Sequence, residues 1–162
     1  MRIKLFIIVT IAFLFASFRI THIPILNFKQ LNEQYLNRDT DTLYIINFWA
    51  TWCGPCVKEL PYFEQITEKY KTQKVKVILV SLDFAKNYET TLLPFMQKRK
   101  LKSEVILLDD PASNQWIDQV DATWSGSIPA TIIYTKNSRK FYEQSFNFEE
   151  LDSIVKLKII KK

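Results

Sequence analysis

Glycine is nearly missing from this chain. Two of the 162 residues are glycine, Gly54 and Gly126, against a usual share of roughly 7%. Turns are therefore made without it, and each of the two needs a local reason. Histidine occurs once, at His22, and cysteine twice, at Cys53 and Cys56. A zinc site built on that pair needs two further Cys or His ligands, so no metal is expected. One pair of cysteines also cannot build a framework of structural disulfides. Acidic residues are absent from the first twenty positions, which hold Arg2, Lys4 and Arg19. Of the formal charge of +5, only about +2 belongs to the rest of the chain. That is too weak a bias to point to nucleic acid.

What is present is apolar. Hydrophobic residues make up 48% of the chain and aromatics 14%, enough to pack the core of one domain of ordinary size. Arg2 and Lys4 precede an uncharged run from Leu5 to Phe18. Such a run matches the core of an export signal and is short of the roughly 20 residues that span a bilayer. Around Phe15-Ala16-Ser17-Phe18 no placement puts small residues at both cleavage positions. The expectation is a signal peptide or N-terminal membrane anchor over residues 1–22, followed by one domain over 25–162. An exported chain with a single close pair of cysteines uses that pair for chemistry.

Strands and helices alternate along the domain. Phe28, Leu31 and Tyr35 suit a short helix over 28–37. Leu43 to Trp49 is a continuous run of β-formers, as in a strand covered on both faces. Val57, Leu60, Phe63, Ile66 and Tyr70 then fall at helical spacing, with Pro61 inside the helix. Val75–Leu82 and Glu104–Leu108 read as strands, with a helix over Tyr88–Lys100 between them. A short helix is expected over Asn114–Val120 and a strand over Ile128–Tyr134, broken near its start by Pro129. A partner strand is expected over Lys140–Phe146. Asn147 and Glu150 have capping-box spacing at the start of a last helix. This order argues for an α/β fold around one central sheet.

The informative motif is Trp52-Cys53-Gly54-Pro55-Cys56, set between an apolar strand and a helix. Two intervening residues place the cysteine Cα atoms about one helical turn apart, inside the roughly 4.4–6.8 Å a disulfide requires. The helix N-terminus stabilises a thiolate on Cys53. Pro55 near the helix start loses no hydrogen bond and has a φ suited to the helix. The motif is thus a redox-active pair, with an inert disulfide or half a zinc site as the plainer alternatives.

Asn47-Phe48-Trp49-Ala50-Thr51-Trp52-Cys53-Gly54-Pro55-Cys56, followed by Glu59, Leu60 and Pro61, resembles the thioredoxin fold. It is most similar to the TlpA/ResA-like branch of exported thiol–disulfide oxidoreductases. Ile128-Pro129-Ala130-Thr131 matches that family's cis-proline segment. The resemblance implies a mixed β-sheet flanked by helices, with an extra strand–helix unit before the cis-Pro strand, at Tyr88–Leu108. It implies an envelope or periplasmic location, protein thiols and disulfides as partners, a membrane or periplasmic electron donor, and no cofactor beyond the cysteine pair. A monomer is expected. Cytochrome c maturation is a common role of this branch. The Gly54-Pro55 pair is the one carried by reducing thioredoxins, so reduction is the expected direction.

Within that resemblance Cys53 is the exposed nucleophile and Cys56 the resolving thiol. Thioredoxin has a buried aspartate where this chain has Asn47, and an amide cannot exchange protons. Glu59 follows Cys56 by three residues and is its neighbour on a helix, so it becomes the acid–base candidate; a solvated helix glutamate is the alternative. Pro129 is expected to be cis beside the cysteines, with Ile128 pairing its backbone to a bound peptide; the alternative is an ordinary edge-strand proline. Gly126 is expected to supply a positive-φ turn. Trp52 is expected on the rim, and Trp124 along the substrate groove or in the core. Asp83, Asp109 and Asp110 read as loop and cap carboxylates. A binding module with a static disulfide is the competing class. A thiol peroxidase is disfavoured, because the proline-containing loop that precedes a peroxidatic cysteine is missing before Cys53.

Overall fold

The computed structural model describes residues 22–160. Apart from His22, the segment expected to direct export lies outside them. Six strands form one mixed sheet in the order β1-β4-β3-β2-β5-β6. The strands are β1 (Ile25–Leu26), β2 (Leu43–Trp49), β3 (Val75–Ser81), β4 (Glu104–Leu108), β5 (Ala130–Thr135) and β6 (Ser138–Tyr142). The first four in space run parallel; β5 pairs antiparallel to β2, and β6 pairs antiparallel to β5. The helices are α1 (Phe28–Leu31), α2 (Gly54–Lys69), α3 (Leu93–Arg99), α4 (Ser113–Val120) and α5 (Phe148–Ile160).

The period-2 alternation of strand side chains sorts the core into two layers. On β2, Leu43, Ile45 and Trp49 face the layer that holds Cys53, Cys56, Leu60, Phe63 and Ile66 of α2 and Leu151 and Val155 of α5. Tyr44, Ile46 and Phe48 face the opposite layer, with Phe28 and Leu31 of α1 and Trp116 and Val120 of α4. Asn47 belongs by alternation to the first face, so its polar side chain points toward α2. All seven residues of β2 are buried, which accounts for its apolar run, interrupted only at Asn47.

Several boundaries differ from the sequence reading. The helix expected over 28–37 is one α-turn that widens into a π-helical turn, Asn32–Leu36. The helix expected from Tyr88 likewise opens as a π-helical turn over Tyr88–Leu92, before Pro94 enters the first turn of α3. Pro94 has no N–H to give to the ladder there. The last strand runs over Ser138–Tyr142 rather than Lys140–Phe146, and its pairing with β5 ends at Tyr142↔Thr131. Phe146 leaves the ladder to serve a different acceptor, described below. The cap of α5 forms as expected: Asn147 Oδ1 accepts from the Glu150 N–H at 2.9 Å, and Glu150 Oε2 accepts from the Asn147 N–H at 3.2 Å. Among the described residues no helix is long and apolar enough to cross a membrane.

Gly126 has φ +91°, and a Cβ built on it would stand 3.2 Å from Ile117 Cδ1. Left-handed backbone costs a non-glycine residue roughly 1–2 kcal/mol, and Ile117 would also have to move. Gly126→Ala is expected to lower the thermal midpoint by a few degrees; an unchanged melting curve would contradict it.

Candidate active site

The loop after β2 brings the chain to the helix start through a backbone turn, Cys53 N–H to Ala50 O at 3.1 Å. Cys53 is the N-cap of α2, and its Sγ accepts from the Cys56 N–H at 3.2 Å. The two cysteines are joined, with Cα atoms 5.3 Å apart. Cys53 is only 6% exposed and Cys56 is fully covered. The expected exposed nucleophile is therefore nearly buried in the oxidised form, although it remains the more accessible of the pair. Early N–H groups and the dipole of the sixteen-residue α2 converge on Cys53, the setting that lowers a thiol pKa. Gly54 departs from expectation. A Cβ there would meet nothing within 4 Å and its φ is ordinary, so the fold itself does not require glycine at that position.

Asp83 does more than the loop role read from sequence. It is buried, and its carboxylate accepts from the Thr51 N–H at 3.0 Å, from the Thr51 hydroxyl and from the Ser81 hydroxyl at 2.8 Å. It ties the turn before the cysteines to the end of β3. No motif signals the link to Thr51, because Thr51 and Asp83 are brought together only by the parallel pairing of β2 with β3. Asp83→Asn keeps an acceptor but loses the charge. Hydrogen bonds to charged groups contribute more than neutral ones, about 1.5–3 against about 1 kcal/mol each. The variant is expected to lose about 1–2 kcal/mol in urea unfolding, and unaltered stability would show that the charge is not used.

Glu59 is the second buried carboxylate. It is 1% exposed, which removes the solvated-helix alternative. Its Oε1 accepts from Asn47 Nδ2 at 2.9 Å and its Oε2 from the Phe146 N–H at 2.7 Å. Asn47 Nδ2 also donates to Thr131 Oγ1 at 3.1 Å; these two residues are directly paired across β2 and β5. Burial pushes the Glu59 pKa up from 4.5 to about 7, against the opposing pull of the Phe146 and Asn47 hydrogen bonds. Desolvation wins because neither donor carries a charge. Glu59 and Cys56 share the buried face of α2, so a carboxyl that titrates near neutrality neighbours the inner cysteine. The sequence reading has Phe146 only as the end of a strand and not at the site, because a backbone N–H leaves no trace in residue identity.

The Ile128–Pro129 peptide bond is cis, and Cys53 Sγ lies 3.7 Å from the Ile128 carbonyl oxygen. Trp52 is 62% exposed beside the disulfide. Trp124 is buried against Phe48, Trp116 and Phe141, and its Nε1 donates to Ser127 O at 2.7 Å. It is a core residue that also floors a cleft of about 370 Å³, bounded by Trp52, Phe84, Asp109, Ile117 and Gly126. Asp110 caps locally by accepting from the Ala112 N–H and reaches across the chain to accept from the Phe28 N–H at the start of α1. Among the described residues no group of three or more His, Cys, Asp or Glu could hold a metal ion.

This geometry has relatives. A segment of the chain is 37% identical over 67 residues to the thiol-disulfide oxidoreductase ResA of Oceanobacillus iheyensis, covering 37% of this chain and 34% of that protein. Another is 32% identical over 63 residues to the sporulation thiol-disulfide oxidoreductase A of Bacillus subtilis, covering 39% and 38%. The chain thus matches little more than a third of the length of these two curated relatives. Among solved structures, a thioredoxin-related protein from Neisseria meningitidis superposes with a TM-score of 0.64 at 25% identity, covering 77% of this chain and 90% of that one. StoA from Bacillus subtilis superposes with a TM-score of 0.54 at 22% identity, covering 71% and 83%; at that identity it shares the fold. The family model described as AhpC/TSA matches residues 24–139, most of the described domain, and the chain belongs to the AhpC/TSA family.

Proposed function

We propose that this protein is a thiol–disulfide oxidoreductase that reduces protein disulfides in the cell envelope through Cys53 and Cys56. The observation that carries the reading is the cysteine pair at the N-terminus of α2, facing the Ile128 carbonyl and a cis-proline. The similarity to proteins named thiol-disulfide oxidoreductases supports it.

In the reduced protein the Cys53 thiolate attacks one sulfur of a substrate disulfide. That S–S bond breaks, one substrate thiolate leaves and a mixed disulfide forms. Cys56 then gives its proton to the Glu59 carboxylate and attacks Cys53 Sγ. The second substrate thiolate leaves, and the Cys53–Cys56 disulfide closes. The substrate gains two electrons and the protein loses two; a dithiol donor returns them. A carboxyl titrating near 7 is well matched to a proton transfer at neutral pH. Trp52 and the Ile128 backbone flank the approach to Cys53, with Trp124 beneath the adjoining cleft. Location in the envelope is supported by the uncharged run from Leu5 to Phe18 behind Arg2 and Lys4, and an N-terminal tether would hold the domain at the membrane.

The test is dithiothreitol-dependent reduction of insulin by the purified protein. Precipitation of the insulin B chain well above the uncatalysed rate is expected. No acceleration would favour the binding module with a static disulfide.

A further inference from the structure

Asn47 has an acceptor that nothing uses. Its side chain is completely buried, and both N–H bonds of its amide are spent, on Glu59 Oε1 at 2.9 Å and Thr131 Oγ1 at 3.1 Å. Its Oδ1 is buried without a hydrogen-bond partner. A buried unpaired carbonyl is costly enough to need an explanation. A leucine, with the same branched skeleton, would avoid the cost if Asn47 were only filling space.

The explanation lies in what Glu59 accepts. As a carboxylate, Glu59 takes a donor on each oxygen, from Asn47 Nδ2 and from the Phe146 N–H. Once protonated it must also donate. The Phe146 N–H cannot accept, and neither can Asn47 Nδ2. The unused Oδ1 can, after the amide turns by half a revolution about its terminal torsion. Oδ1 then faces both the Glu59 O–H and the Thr131 hydroxyl, which can donate as readily as it accepts. Each protonation state of Glu59 therefore has its own amide position: the turned form pairs Oδ1 and the Glu59 O–H and leaves Nδ2 in the pocket where Oδ1 had no partner. Aspartate in place of Asn47 could not donate to the ionised form, and leucine could serve neither form.

We propose that the Asn47 amide is a two-position switch that turns with the proton on Glu59 and reverses the polarity of its hydrogen bond to Thr131. Asn47 is then a positioning residue for the exchange reaction. It delivers a hydrogen bond to the carboxylate while Glu59 waits for the Cys56 proton, and takes one from the carboxylic acid after the proton has moved. The signal reaches Thr131, two residues beyond Pro129 on β5. The inference rests on the reading of Glu59 as proton carrier. No charged side chain intrudes. Among the described residues Glu59 makes no ion pair. The Asn47 and Thr131 groups of β2 and β5 that meet at the network are neutral, and Asp152 of α5 is held by Lys69, Lys156 and Tyr70. On α2 itself the titratable residues within one turn of Glu59 are Cys56 once reduced, the exposed Lys58 and the half-buried Tyr62.

The test is an NMR titration of the full-length protein between pH 5 and 9, following the Glu59 carboxyl carbon and the Asn47 side-chain amide together. Both resonances are expected to move with a single common midpoint, and in Glu59→Gln the Asn47 amide is expected to stay at its low-pH position throughout. Asn47→Leu removes a donor to the carboxylate, so the Glu59 midpoint is expected to rise by about 1–2 pH units. Asn47→Asp, nearly isosteric, is expected to give two buried carboxylates that titrate as a pair in two separated steps. An Asn47 amide that stays flat through the Glu59 titration, or a midpoint unmoved by both replacements, would overturn the switch. These readings need no substrate. Failure to reduce insulin with the switch intact would instead count against the oxidoreductase reading.

Discussion

Cys56→Ser is expected to stop turnover and to leave Cys53 joined to its substrate through a mixed disulfide. The two sulfurs are bonded to each other in the oxidised protein, so in the mixed disulfide Cys56 is already placed for attack. An intramolecular thiol so placed has an effective concentration far above that of any external thiol. With only two cysteines in the chain, nothing else within the protein can take over. The serine hydroxyl has nearly the shape of the thiol and is not a competent nucleophile toward sulfur at neutral pH. Multiple turnover is expected to fall on the order of 10³-fold or more, while the first substrate molecule is captured. Non-reducing gels of the variant mixed with insulin, or with envelope protein from its own cells, would show a band that dithiothreitol removes. Cys53→Ser is the matched control and is expected to form no adduct, because Cys56 is wholly buried and cannot reach a protein disulfide. Wild-type turnover in Cys56→Ser, or adducts formed equally well by Cys53→Ser, would reverse the roles assigned to the two sulfurs.

How much of this could be read in the sequence depends on where each signal lies along the chain. The central strands were legible because burial on both faces writes a nearly continuous apolar run, as in Leu43–Trp49 with Asn47 its one polar residue. The cysteine motif was legible because strand, motif and helix are contiguous. The short strand β1 was not, since Ile25–Leu26 is a strand only by pairing with Leu107 and Leu108 of β4. The π-helical turns over Asn32–Leu36 and Tyr88–Leu92 have the apolar spacing of an α-helix and could not be separated from one. The site divides in the same way. Glu59 stood out by its spacing from Cys56, but its burial depends on Asn47 twelve residues earlier and on Phe146 eighty-seven residues later. The end of β6 was misplaced for a related reason. Phe141, Tyr142 and Phe146 look like one apolar strand, yet Phe146 turns out of the sheet so that its N–H meets Glu59. Asp83 and the unused acceptor of Asn47 likewise become visible only once separate strands have been assembled.

Glu59→Gln is expected to stabilise the protein above neutral pH and to slow its chemistry there. A carboxyl whose pKa is raised in the fold binds protons more tightly folded than unfolded. Below about pH 4.5 Glu59 is protonated in both states and folding meets no penalty. As pH rises from 4.5 toward 7 the unfolded chain ionises first, so stability falls through that window and levels off once the folded group has also ionised. A shift from 4.5 to about 7 corresponds to a full penalty of about 3 kcal/mol. Glutamine has no proton to lose. Its carbonyl can accept from the Phe146 N–H and its amide can donate to Asn47 Oδ1, reproducing the protonated acid. Urea unfolding at a series of pH values is expected to show wild-type stability declining between pH 4.5 and 7 relative to Glu59→Gln, which lacks that decline, with a gap above pH 7 of up to about 3 kcal/mol. Resolution of the mixed disulfide is expected to run the other way. Without a carboxylate to take the Cys56 proton, the step slows by about 10²-fold or more at neutral pH and regains speed only as the pH approaches that of an ordinary thiol. Parallel stability curves for the two proteins would refute the burial penalty, and equal resolution rates across pH 6–9 would refute the proton transfer. A variant that gains stability as it loses speed would show that the fold tolerates a disfavoured buried charge because the reaction uses it.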